Sequence, residues 1–177
     1  MILQDILYKV SIRTVKGNTA VEVNDLQIDS RKVTAGTCFI ALKGHAADGH
    51  NYIDTAVNNG AVAIGCEVLP QELKDGVIYI QVENSAAAAG WMSHNFYGEP
   101  SLRIKLVGVT GTNGKTTIAT VLWKLFTSLG YKCGLLSTVQ NQIGETVISA
   151  THTTPDAISI SKLLKQMVDE GCTHVFM

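Results

Sequence analysis

A chain of 177 residues, 46% hydrophobic and 16% charged, can bury one large core or two small ones and is too apolar to stay disordered. Its formal net charge of -1 leaves no basic surplus for neutralising phosphates, which excludes nucleic acid as the main partner. The charge is uneven: residues 1–100 carry seven Lys and Arg against eleven Asp and Glu, and residues 101–177 carry seven against four. In chain order, the opening MILQDILYKV is broken by Gln4 and Asp5. No apolar run reaches the roughly 18 residues of a membrane span, so no membrane partner is expected. Cys38, Cys66, Cys133 and Cys172 form no C-x-x-C pair and read as buried, reduced thiols of a soluble cytoplasmic protein.

TCFIALKG (37–44) predicts a strand, and NYIDTAVNNG (51–60) a short helix with Ile53, Ala56 and Val57 on one face and Gly60 at its end. AVAIGC (61–66) and VIYIQV (77–82) predict strands, and NSAAAAGWMSHNFYG (84–98) an Asn-capped helix. The break at GEPS (98–101) divides the chain into residues 1–98 and 99–177. RIKLVGVT (103–110) and KCGLLST (132–138) predict strands. Between them a helix carries Ile118, Val121, Leu122, Leu125, Phe126 and Leu129, closed by Gly130. TTPDAISISKLLKQMVDEG (153–171) predicts a helix with Pro155 in its first turn, Asp156 near its positive end, and Ile160, Leu163, Leu164, Met167 and Val168 as its apolar face. THVFM (173–177) begins a third strand of the second part. Such alternation implies an α/β fold with parallel sheets covered by helices.

VGVTGTNGKTTIAT (107–120) places a glycine-rich turn and Lys-Thr between a strand and a helix, the layout of a phosphate-binding P-loop. Glycines let several N–H groups converge on one anion, and the helix start adds partial positive charge there. Lys115 would reach the outer phosphates and Thr116 would coordinate Mg²⁺. The strict pattern needs glycine at position 109, where this chain has Val109.

GVTGTNGKTT resembles the variant loop of the Mur ligase family, the ATP-dependent amide-bond formers of peptidoglycan synthesis. DSRKVTAGTCFIALKGHAADGHNYIDTAVNNGAVAI (29–64) resembles the UDP-binding domain of the late members of that family, FYGEPS (96–101) their linker, and HTTPD (152–156) their muramoyl-peptide loop. The resemblance implies a small α/β UDP-binding domain over 1–98, followed by the first part of a P-loop parallel-sheet ATPase domain over 99–177. It implies ATP and Mg²⁺ as cofactors and UDP-N-acetylmuramoyl-L-alanyl-D-glutamate as substrate. Meso-diaminopimelate, or alternatively L-lysine, would be added through an acyl phosphate by a full-length monomer.

By the same resemblance, Ile28 and Ser30 would hold the uracil and ribose end, and His45, Ala46 and Ala47 the diphosphate side. Gly111, Thr112, Asn113, Gly114, Lys115, Thr116 and Thr117 would cradle ATP, with Lys115 as the catalytic cation. Thr153 and Thr154 would bind the muramoyl-peptide, assisted by His152, where some relatives have Asn; the two threonines could equally cap the following helix. His50, His94 and His174 lie at no metal-ligand spacing and read as surface or packing residues. The family pattern continues with a Mg²⁺-binding acid, a carbamylated lysine and a third domain for the incoming amino acid. The expectation is therefore an N-terminal fragment, inactive alone, with an unpaired edge on its third strand. A non-catalytic nucleotide or UDP-sugar binding module is the alternative; a P-loop switch is disfavoured because no N-K-x-D motif is present.

Overall fold

The computed structural model describes residues 1–44, 47–144, 146–149 and 156–177, which divide into two compact units, Met1–Phe96 and Tyr97–Met177. In the first unit, β1 (Ile12–Lys16), β2 (Asp25–Gln27), β3 (Thr37–Ile40), β4 (Ala61–Cys66) and β5 (Ile78–Val82) form one sheet in the order β1-β5-β4-β3-β2. β2 to β5 pair in parallel and β1 joins antiparallel to β5. The central strands are almost continuously buried, as expected for a parallel sheet covered by other elements. Phe39, Ile64, Tyr79, Ile53 and Ala56 form the core beneath α2 (Ile53–Asn58), so the expected apolar face of this helix is the one it buries.

α3 (Ser85–Phe96) starts as its Asn cap predicts: Asn84 Oδ1 accepts the Ala87 N–H at 2.8 Å. Near its far end, buried Asn95 donates to the carbonyl oxygens of Ile6 and Tyr8 at 2.9 and 2.6 Å. That satisfies the end of α1 (Leu3–Ile6), a single turn whose periodicity is too short to read from sequence.

The second unit has five strands where the sequence suggested three: β6 (Lys105–Val107), β7 (Cys133–Leu135), β8 (Gln140–Ile143), β9 (Thr146–Ser149) and β10 (His174–Phe176), in the order β6-β10-β7-β8-β9. β10 pairs in parallel with both β6 and β7, while β8 and β9 form an antiparallel hairpin. β10 is therefore central, and the expected unpaired edge on it is corrected: the sheet ends at β6 and β9. α5 (Ala157–Asp169) lies close on this sheet, because a Cβ at Gly134 would meet Met167 Sδ at 2.5 Å. Its N-cap is Asp156, whose carboxylate accepts the Ser159 N–H and hydroxyl at 2.9 and 2.7 Å.

α4 (Lys115–Ser128) corrects the expected helix face. Ala119, Leu122, Trp123 and Phe126 pack on the sheet with Cys133, Leu135 and Phe176, whereas Ile118, Val121, Leu125 and Leu129 are exposed. The reason is aromatic packing: Phe126 meets Phe176, His174 and Tyr131 at ring-centroid distances of 5.2, 5.0 and 5.7 Å.

Candidate functional site

Those of the expected residues that are described fall into two groups, one on each unit. On the second unit, Gly111 and Gly114 adopt φ of 149° and 79°, and Gly114 is the left-handed N-cap of α4 with no side-chain cap. The first carbonyl inside the helix start is that of Gly114, which accepts the Ile118 N–H at 2.9 Å. The N–H groups of Lys115, Thr116 and Thr117 thus point out of the helix end, where the dipole favours an anion. Lys115 Nζ donates to the carbonyl oxygens of Gly111 at 2.6 Å and Thr112 at 3.4 Å, so its charge is held over the loop.

Val109 explains the departure from the strict glycine pattern. Its N–H donates to the Met177 carbonyl at 2.6 Å, extending the β6–β10 pairing, and its side chain packs with Ala119, Leu135 and Phe176. Position 109 is a half-buried packing residue here, and the first left-handed glycine of the loop is Gly111.

On the first unit, a cleft of about 700 Å³ is lined by Ile28, Ser30 and Ala47 of the expected set, together with Asp29, Arg31, Phe39, Leu42 and Tyr52. Its lining joins buried Phe39 and half-buried Leu42 to Arg31 and Tyr52, both exposed. Ser30 opens a 3-10 turn (Ser30–Lys32) capped by Asp29, and its carbonyl accepts Asn59 Nδ2 at 2.9 Å, which ties the turn to the end of α2. The Arg31 guanidinium grips Asp29 with two bonds of 2.9 and 2.8 Å and lowers the Asp29 carboxyl to about 2. His45, Ala46, His152, Thr153 and Thr154 lie outside the described residues.

The sequence reading missed Arg31 and Tyr52 among the residues that line this cleft. Arg31 could have been found as the cation of the DSR triplet, and Tyr52 as the aromatic just after DGH. His50, read as a surface or packing histidine, bonds through both ring nitrogens, to Asp48 and to the backbone of Glu67. His94 and His174 do pack against rings, those of Trp91 and of Phe126 and Tyr131. Among the described residues no group of three His, Cys, Asp or Glu is arranged to hold a metal, and no helix is long and apolar enough to cross a membrane.

The family profile described as "Mur ligase family, catalytic domain" matches residues 22–97, and "Mur ligase middle domain" matches residues 109–177. The UDP-N-acetylmuramoyl-L-alanyl-D-glutamate--2,6-diaminopimelate ligase of Cytophaga hutchinsonii is 54% identical over 178 residues, which cover all of this chain. The chain belongs to the Mur ligase family. It spans only 37% of that relative's length. A solved diaminopimelate ligase of the same name shares the fold with a TM-score of 0.79 at 24% identity, covering 99% of this Mur ligase chain and 35% of its own. The Thermotoga maritima MurF ligase, solved in complex with ADP, aligns with a TM-score of 0.55 at 26% identity over 86% of this chain and 31% of its own.

Proposed function

We propose that this chain is the UDP-substrate and ATP-binding part of an ATP-dependent ligase that extends UDP-N-acetylmuramoyl-L-alanyl-D-glutamate by meso-diaminopimelate, in the cytoplasm. The observation that carries the reading is the loop at the start of α4, where the helix's first three N–H groups and the Lys115 ammonium, bonded to the Gly111 carbonyl, lie at one glycine-rich turn. The residues fit a nucleotide triphosphate: the glycines supply the curl, the helix end supplies the donors, and Lys115 needs only to exchange loop carbonyls for phosphate oxygens. Gly111, Thr112, Asn113, Gly114, Lys115, Thr116 and Thr117 would hold ATP. Thr116 would give its hydroxyl to Mg²⁺, which when bound neutralises phosphate charge.

In the proposed reaction a substrate carboxylate oxygen attacks the γ-phosphorus and ADP leaves with the bridging oxygen. The acyl phosphate is then attacked by an amine, which loses a proton as inorganic phosphate departs. Lys115 stabilises the charge on the transferred phosphoryl group. Ile28, Ser30 and Ala47, with His45 and Ala46, would bind the uridine diphosphate end, remote from the bond formed. His152, Thr153 and Thr154 would bind the muramoyl-peptide. The reading also matches the name of the Cytophaga hutchinsonii relative.

A chimera tests it. Residues 1–177 replace the matched region of the Cytophaga hutchinsonii ligase, and UDP-muramoyl-tripeptide is followed by mass in the presence of ATP, Mg²⁺, UDP-muramoyl-dipeptide and diaminopimelate. The chimera should form product, and its Lys115→Ala form should lose at least about two orders of magnitude in rate, the scale of one transition-state charge contact. Near-normal turnover by the Lys115→Ala chimera would sink the assignment.

A further inference from the structure

We propose that His50 is a positioning residue of the first unit's cleft, fixing the wall of residues 47–52 against the end of β4 as a neutral imidazole protonated on Nδ1. The proposal rests on reading the cleft as the site of the uridine diphosphate end of the substrate. Three observations converge on the ring. Asp48 Oδ1 accepts both the backbone N–H of His50 at 2.9 Å and its Nδ1 at 2.6 Å. The Asp48 carboxyl is held below its ordinary value, first by that backbone bond and then by the ring, so it is an ionised acceptor and the proton lies on Nδ1. Nε2 receives the Glu67 N–H at 2.9 Å and the Val68 N–H at 3.4 Å, so it presents a lone pair and the ring's proton is the one on Nδ1.

The consequence reaches the cleft through the chain. His50 sits in the 3-10 turn Gly49–Tyr52, and Gly49, Tyr52 and nearby Ala47 line the cavity. The same segment is closed on itself, since the Gly49 N–H donates to the Leu42 carbonyl at 2.8 Å and a Cβ at Gly49 would meet Leu42 backbone atoms at 2.8 Å. Glu67, the residue that holds Nε2, is itself anchored: its carboxylate accepts the Ser85 N–H and hydroxyl, each at 2.9 Å, at the start of α3. A rigid chain of contacts therefore runs from α3 through Glu67 and His50 to the cavity wall. The ring does not line the cavity, which is why its role is positioning.

The experiment uses the 177-residue chain and UDP-N-acetylmuramic acid as probe, with amide NMR reporting binding at Gly49 and Thr55 separately from Gly111 and Gly114. The parent ring should show the Nδ1-protonated tautomer in its nitrogen shifts, before and after ligand. His50→Leu, which keeps bulk but neither bond, should weaken the probe about tenfold, the loss of two modest hydrogen bonds. His50→Gln, whose amide can both donate to Asp48 and accept from Glu67, should stay within about threefold of the parent. Should His50→Leu fail to fold, the tautomer and the His50→Gln affinity still decide. Equal affinities of parent and His50→Leu, an Nε2-protonated tautomer, or a His50→Gln no better than His50→Leu would each overturn the positioning role. A parent that ignores the probe at Gly49 and Thr55 would overturn the cleft reading itself, a distinguishable result.

Discussion

Asp29 and Arg31 sit two residues apart, yet one sets the other's chemistry. The bond from the Arg31 side chain is the first cause of the depressed Asp29 carboxyl, at about 2 against an ordinary 3.8. A depressed carboxyl makes its contribution above the ordinary value and loses it as pH falls through the folded one, so the pair should hold until about pH 2. Arg31→Met should return the Asp29 midpoint towards 3.8 in a carbon-NMR carboxylate titration; an unmoved midpoint would mean that the guanidinium is not the cause. The cysteines give the opposite shift. Burial pushes the Cys38 thiol up to about 12 and Cys66 to about 11, and it raises Cys133 and Cys172 as well. All four are free and buried. The native chain should therefore show almost no reaction with a thiol reagent at about pH 8, and four equivalents should appear in urea. Rapid titration of any thiol in the native chain would contradict the burial.

At the scale of elements, α4 poses the sharpest test because it carries two apolar stripes and buries one. Phe126→Ala removes ring contacts to Phe176, His174 and Tyr131 and should cost about 2–3 kcal/mol in urea unfolding. Leu125→Ser lies on a position 49% exposed and should stay within about 0.5 kcal/mol. Equal losses would return the helix to the face that periodicity alone suggests. On α5, Asp156→Ala removes two acceptor bonds at the N-cap and should cost about 1 kcal/mol. These elements also mark what sequence could reveal. β4 was legible to the residue because AVAIGC is an unbroken apolar run between turn residues. The cap Asn84 was legible because capping is local chemistry, whereas Asp156 was expected only near the start of a helix opening at residue 153, and the structure makes it the N-cap of a helix that begins at Ala157. β1, β2, β8 and β9 were not legible, since short strands such as QNQI take their identity from the neighbour they pair with. The glycine-rich turn before α4 was legible as a turn because its glycines, Lys115 and Thr116 are contiguous. In the cleft, Ser30 stands in the DSR triplet and Ala47 just before DGH, both local signals, but the bond from the Glu67 N–H to His50 joins residues seventeen apart, which no local pattern reveals.

For the whole molecule, the relevant fact is that each unit carries its own core and its own candidate site. The core around Phe39, Ile64 and Tyr79 shares no residue with those around Leu135, Phe176 and Met167. A ligand that binds only a folded site stabilises what must be folded to make that site, by about 2.7 kcal/mol at a hundredfold excess over its dissociation constant. For a unit of this size that is a rise of roughly 10–20 °C. Calorimetry of the 177-residue chain should accordingly resolve two transitions. UDP-N-acetylmuramic acid should raise the one that belongs to Met1–Phe96, and ATP with Mg²⁺ the one that belongs to Tyr97–Met177. Assignment comes from variants: Ser30→Ala should weaken the first ligand by about 1 kcal/mol, typical of one hydrogen bond, and leave the ATP-induced rise unchanged. Lys115→Ala should abolish most of the ATP-induced rise and spare the uridine-induced one. If either ligand raises both transitions equally, or if each variant blunts both responses, the two sites are one cooperative system and the division of labour proposed between the cleft and the loop is wrong.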